Sequence, residues 1–203
     1  MLSFRSMRRG FARGLSATLP GMRRLVALAV PLVFVVAACG GGDEEAVPTA
    51  PTGATSTTSF TFIGGDVSEG EPIDPRFSCD GENVSPALAW EEPPVGTVEL
   101  ALVVDDPDAP GGSFIHWVVA GLPPEETSLE TGSQEGEQGA NDAGGTGWTG
   151  PCPPSGETHG YVFTLYALDA ESGFRTGGSA GDLREAIDGH VIGEARLTAP
   201  FSH

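Results

Sequence analysis

The chain has 203 residues, 39% of them hydrophobic, with 30 Gly and 17 Pro: enough apolar content for one core, and too many turn-formers for a mainly helical protein. From Cys39 onward there are 4 basic and 28 acidic residues, a formal charge of −24, and no lysine. A field of that sign repels a phosphate backbone and excludes nucleic acid as a partner.

Arg23-Arg24 is followed by the apolar stretch Leu25–Ala38, interrupted by Pro31. A basic flank, an apolar run of this length and small residues at its end make a secretory signal, and the run falls short of the roughly 20 residues of a spanning helix. Met22 opens a segment of the usual signal shape and is the candidate true start. The end of the run, Val36-Ala37-Ala38-Cys39-Gly40, resembles the bacterial lipobox. That resemblance implies removal of residues 1–38, acylation of Cys39, and an exported protein anchored to the bacterial cell membrane through its lipid. Residues 39–58 are rich in Gly, Ser, Thr, Pro and acid, with no hydrophobic period, and form a flexible tether. Residues 59–203 form the folded domain.

Within that domain short apolar runs alternate with Gly, Pro and Asp clusters, the pattern of an all-β sandwich. Strands are predicted at Phe60–Ile63, Leu88–Trp90, Val98–Asp105, Phe114–Ala120, Gly160–Asp169 and Val191–Thr198. The nearly continuous apolar run Val98–Asp105 predicts a central strand buried on both faces. On Gly160–Asp169, Tyr161, Phe163, Leu165 and Ala167 share one face. The stretch Pro123–Thr149 has little periodicity and is expected to be a long surface loop. One helix is predicted over Ala180–Asp188: Ser179 and Asp182 form a capping-box-like start, Leu183 and Ile187 share a face, and Gly189 can end it.

Polar residues gather where strands meet loops. Asp105-Asp106-Pro107-Asp108-Ala109-Pro110 ends the central strand, and its prolines restrict the turn that carries the carboxylates. His116 follows, sharing by alternation a strand face with Phe114 and Val118. Next comes the Gly/Pro loop Gly150-Pro151-Cys152-Pro153-Pro154, where a glycine lets a ligand approach a main-chain N–H. His159 and Tyr161, two apart on a strand, point the same way. Two imidazoles, a phenol and a glycine amide can hold a phosphate or carboxylate without lysine, while nearby carboxylates orient the histidines and raise their pKa. His190 and His203 are expected to be structural or merely terminal, and Trp90 and Trp148 to serve packing.

Together, Asp106–Pro110, His116-Trp117, Gly150–Pro154 and His159-Gly160-Tyr161 resemble the signature elements of the phosphatidylethanolamine-binding protein family. The upstream segments Cys79–Pro86 and Leu88-Ala89-Trp90 resemble its bacterial Raf-kinase-inhibitor-like branch. The resemblance runs over about residues 60–200. It implies a β-sandwich of two antiparallel sheets with Greek-key connections and one or two short peripheral helices. It also implies a shallow pocket for phosphate-like anions, from a phosphorylated small molecule or a phospholipid head group. Asp106, His116, Gly150, Pro151, His159 and Tyr161 would form that pocket, with Asp108 and Trp117 in support. One departure stands out: the family usually carries His-Arg-Tyr where this chain has His159-Gly160-Tyr161. The missing guanidinium bears on the rigidity of the Asp106–Pro110 turn or on the charge the ligand prefers.

No HxH or HExxH spacing surrounds Asp106, Asp108, His116 and His159, so no metal is expected. Ser155 lies outside any G-x-S-x-G and lacks an evident base, so no catalytic residue is expected, and no cofactor. The alternative to ligand capture is modulation of an extracytoplasmic protein, such as a protease or signalling partner, through Pro123–Thr149. With Cys39 assigned to lipid, Cys79 and Cys152 remain as an even pair in an oxidising compartment, either bridged between two pocket-forming loops or buried as free thiols.

Overall fold

The computed structural model describes residues 58–203. The signal segment 1–38, Cys39 and the tether through residue 57 lie outside the described residues. Among those described, the strands are β1 (Thr58–Ser59), β2 (Phe62–Gly65), β3 (Leu88–Trp90), β4 (Glu99–Asp106), β5 (Phe114–Leu122), β6 (Ser128–Leu129), β7 (Glu137–Gln138), β8 (Thr158–Leu168) and β9 (Val191–Ser202). A single 3-10 turn (Pro75–Phe77) and one helix, α1 (Ala180–Ala186), complete the set. Pairing thus begins at Thr58, one residue inside the expected tether.

The strands form two sheets, a larger one ordered β1-β9-β8-β4-β5-β7 and a smaller one ordered β2-β3-β6. All pairings are antiparallel except the short β1–β9 contact, where Thr58 lies opposite Gly193. The chain leaves β5 and returns on the far side of β4 to lay down β8, the long connection that Greek-key sheets use.

The predicted central strand is central. Leu100, Leu102 and Val104 of β4 enter the main core between the sheets, together with Trp117, Tyr161, Phe163, Leu165, Leu197, Leu88 and Trp90. Ala101 and Val103, on the opposite face, join Val118, Leu168 and Phe174 under Leu183 and Ile187 of the helical segment. Tyr161, Phe163, Leu165 and Ala167 all face the main core, as their alternation requires. The helix starts on the expected capping box: the Ser179 hydroxyl accepts from the Asp182 N–H, and the Asp182 carboxylate accepts from the Ser179 N–H.

Two expectations need correction. Pro123–Thr149 is not simply a surface loop. It supplies β6 and β7, the edge strands of the two sheets, and buries Leu129, Ser133, Gln138 and Asn141. Two-residue strands are too short to show a period, and their pairing is fixed by partners far along the chain. The second correction concerns His116. Val104 pairs with Trp117 and Asp105 with Ile115, so His116 is the extra residue of a β-bulge. Val118 consequently belongs to the core under the helix, while His116 turns toward Tyr161 and Trp148 on the main-core side.

Candidate functional site

At the end of the large sheet where β4 and β9 finish and β5 and β8 begin, a cavity of about 330 Å³ is lined by Asp106, Phe114, His116, Gly150, Cys152, His159 and Tyr161, with Ala109, Pro110 and Pro153 at its walls. That volume is at the small end of ligand pockets. Four of the six residues expected to form the pocket (Asp106, His116, His159 and Tyr161) therefore meet there through side chains, from three different strands.

Asp106 is the hub. Its Oδ2 accepts from Nδ1 of His159 at 2.6 Å, and its Oδ1 accepts from the Asp108 N–H at 2.9 Å, tying the proline-stiffened turn to the strand end. The second nitrogen of His159, Nε2, faces the Glu157 carboxylate at 3.3 Å. The Asp106 hydrogen bond holds the His159 pKa above its ordinary value, outweighing burial, and Glu157 adds to it. His116 behaves oppositely. Its Nδ1 donates to the Thr149 carbonyl at 2.6 Å, and burial pushes its pKa down despite that bond and despite Asp106, Asp105 and Asp142 nearby. Aromatic rings fix its plane, with Phe114 centred at 4.9 Å and Tyr161 edge-on at 5.0 Å.

Tyr161 is buried, and its hydroxyl makes no hydrogen bond of standard geometry with any described residue. Burial and the Asp106 charge raise its pKa, only partly offset by the Cys152 amide. A buried phenol without a partner costs stability unless water or a ligand completes it.

Gly150 lines the cavity, but not with a free amide. The Gly150 N–H donates to Asn83 Oδ1 at 2.7 Å, so it is not free for a ligand. Glycine is required there by packing: a Cβ would stand 2.2 Å from the Phe77 carbonyl oxygen. Gly150→Ala is therefore expected to destabilise the domain by about 2 kcal/mol, the scale of an overpacked interior. A thermal unfolding curve superimposable on that of the parent would refute the constraint. Pro151, expected in the pocket, is not among the cavity-lining residues; its carbonyl accepts from the Cys79 N–H at 3.0 Å.

Asp108 Oδ2 accepts from the Gly160 N–H at 2.8 Å, so the turn is held to β8 through the backbone where a guanidinium is missing. Trp117 is fully buried, donates from Nε1 to Gln138 Oε1 at 2.8 Å, and packs edge-on against Trp148 at 5.7 Å. Trp148 and Trp90 serve packing: their indole nitrogens donate to the carbonyls of Phe77 and Glu126.

Cys79 and Cys152 are joined by a disulfide with Cα atoms 5.5 Å apart, linking the segment after the 3-10 turn to the proline loop. His203, expected to be structural or terminal, is structural: it donates from Nδ1 to the Pro153 carbonyl at 2.9 Å and braces the same loop. Asn83 and Glu157 were not singled out from the sequence. The left-handed backbone of Asn83 (φ 54°), a conformation asparagine tolerates, is a property of the fold.

A family model described as phosphatidylethanolamine-binding protein matches residues 64–202. A UPF0098 protein of Methanothermobacter thermautotrophicus is 47% identical over 132 residues, covering 62% of this chain and 87% of its own. A Mycobacterium tuberculosis protein bearing the name "putative lipoprotein LppC" is 38% identical over 191 residues, 87% of this chain and 94% of its own. Among solved structures, the phosphatidylethanolamine-binding protein homolog CT736 of Chlamydia trachomatis superimposes with a TM-score of 0.66 at 36% identity, covering 73% of this chain and 99% of its own.

Proposed function

This chain belongs to the phosphatidylethanolamine-binding protein family, and from that premise we propose that it is an exported, lipid-anchored binding protein whose cavity captures a small phosphate-like group. The observation that carries this is the buried Tyr161 hydroxyl, whose O–H finds no acceptor among the described residues, at a cavity that also collects His116 and the His159–Asp106 pair. A polar atom left open in such a place is completed when a ligand oxygen arrives.

The lipid anchor is supported by the Ala38-Cys39 junction and by a relative, named as a lipoprotein, that matches 87% of the chain. A Cys79–Cys152 bridge suits an oxidising compartment outside the cytoplasm. Binding is favoured over turnover because Cys152 is bridged and offers no thiolate, and both nitrogens of His159 face carboxylates. The segment that would carry a protein partner is folded into both sheets, which favours the cavity as the seat of function.

Calorimetric titration of the full-length protein with inorganic phosphate is expected to show one saturable site with Kd of about millimolar or tighter, equivalent to roughly 4 kcal/mol or more. His116→Ala should abolish it. Absence of both heat and histidine-ring NMR shifts in folded protein would sink the proposal.

A further inference from the structure

The free hydrogen-bonding atoms of the cavity do not match a fully ionised phosphate. His159 has no nitrogen to spare, since Nδ1 bonds Asp106 and Nε2 faces Glu157. The Gly150 N–H is taken by Asn83. Two atoms remain. The Tyr161 O–H can donate and has no acceptor among the described residues, while its oxygen faces the Cys152 amide. The other is Nε2 of His116, a cavity-lining residue, and its character follows from the opposite side of the ring. Nδ1 contacts the Thr149 carbonyl at 2.6 Å, and a carbonyl only accepts, so Nδ1 carries the hydrogen. In the neutral ring Nε2 is then a lone pair, and burial lowers the His116 pKa, favouring that neutral form.

The carboxylates around the ring are Asp105 and Asp106 on β4 and Asp142 beside β5; on β8 stand the phenol of Tyr161 and His159, whose raised pKa favours a positive charge that is already paired with Asp106. No arginine lines the cavity. A dianionic phosphate would bring an oxygen lone pair against the Nε2 lone pair, among carboxylates, with the Tyr161 O–H as the one side-chain donor without a partner. A phosphate that keeps one proton fits instead: its P–OH donates to Nε2 of His116, and an unprotonated oxygen accepts from Tyr161.

We propose that the cavity takes phosphate as its protonated monoanion and so selects small phosphomonoesters over the phosphodiesters of phospholipid head groups. This rests on the phosphate-capture reading and narrows it. A monoester has a second ionisation near neutral pH and keeps its proton just below it, whereas a diester at neutral pH has no P–OH to give.

Methyl phosphate and dimethyl phosphate test the distinction, because in mildly acidic solution both are monoanions that differ by one methyl group in place of one proton. Titrated into the full-length protein at about pH 6, methyl phosphate should bind about tenfold more tightly, the scale of one well-placed hydrogen bond. Its affinity should fall about fifty-fold between about pH 6 and pH 8, because a second phosphate pKa near 6 removes the binding form. Dimethyl phosphate and the head-group diester glycerophosphoethanolamine should stay weak across that range. His116→Gln, which offers a donor as well as an acceptor, should bring the two methyl esters within about twofold of each other.

Equal affinity for monoester and diester, tight binding of glycerophosphoethanolamine, or monoester affinity that is flat or rising with pH would overturn the inference while leaving phosphate capture intact. Absence of binding by every phosphate at both pH values would overturn the capture reading itself, and the inference with it.

Discussion

Replacing Cys79 and Cys152 together with serine is expected to lower the unfolding free energy by about 4 kcal/mol, the value of the chain-entropy model for a loop of this length. The bridge spans a sequence separation of 73 and ties the segment after the 3-10 turn to the proline loop. Both cysteines are exposed, so little packing is lost with the sulfur atoms, and the loss arises mainly from the wider freedom of the unfolded chain. The neighbouring bond from the Cys79 N–H to the Pro151 carbonyl and the brace from His203 to Pro153 remain to hold the native loop. The double variant should therefore fold to the same structure and unfold at a urea midpoint lower by about 2 M, given a slope of roughly 2 kcal/mol per molar for a domain of this size. An unchanged midpoint would contradict the assignment, as would two alkylatable thiols in unreduced protein.

The second large effect is at Asp106. Asp106→Ala removes at once the acceptor of His159 Nδ1 and the acceptor of the Asp108 N–H, both within a buried strand end. Leaving a buried charged donor unpaired costs about 3 kcal/mol. The loss should depend on pH, with a sign set by the direction of the His159 shift. Its folded-state pKa is raised, so the stability contributed by the pair is fully present below the unfolded value of about 6.5 and is lost as pH rises through the raised folded value. The gap between parent and variant should accordingly be widest in mildly acidic buffer and narrow toward alkaline pH. In the same variant, histidine-ring NMR should show the His159 titration moving down. A stability gap that does not change with pH, together with an unmoved His159 titration, would rule out a charged pair.

Much of the fold was legible because it rests on local chemistry. The period-two alternation of Tyr161, Phe163, Leu165 and Ala167 placed one strand face, the continuous apolar run before Asp105 marked a strand covered on both sides, and Ser179 with Asp182 announced the helix start. The identities of Asp106, His116, His159 and Tyr161 as cavity residues were likewise readable from their motifs. Three features were decided by tertiary structure. The β-bulge that turns His116 onto the main-core side depends on register against β4, which no local period encodes. The capture of the Gly150 N–H by Asn83, 67 residues away, depends on where the proline loop packs. The strands hidden in Pro123–Thr149 are two residues long and owe their pairing to β3 and β5. The sequence by itself therefore determined which residue types stand at the site. Only the tertiary structure decided which of their hydrogen-bonding atoms are left free, because a donor or acceptor is occupied by whatever distant group packing brings within about 3 Å of it.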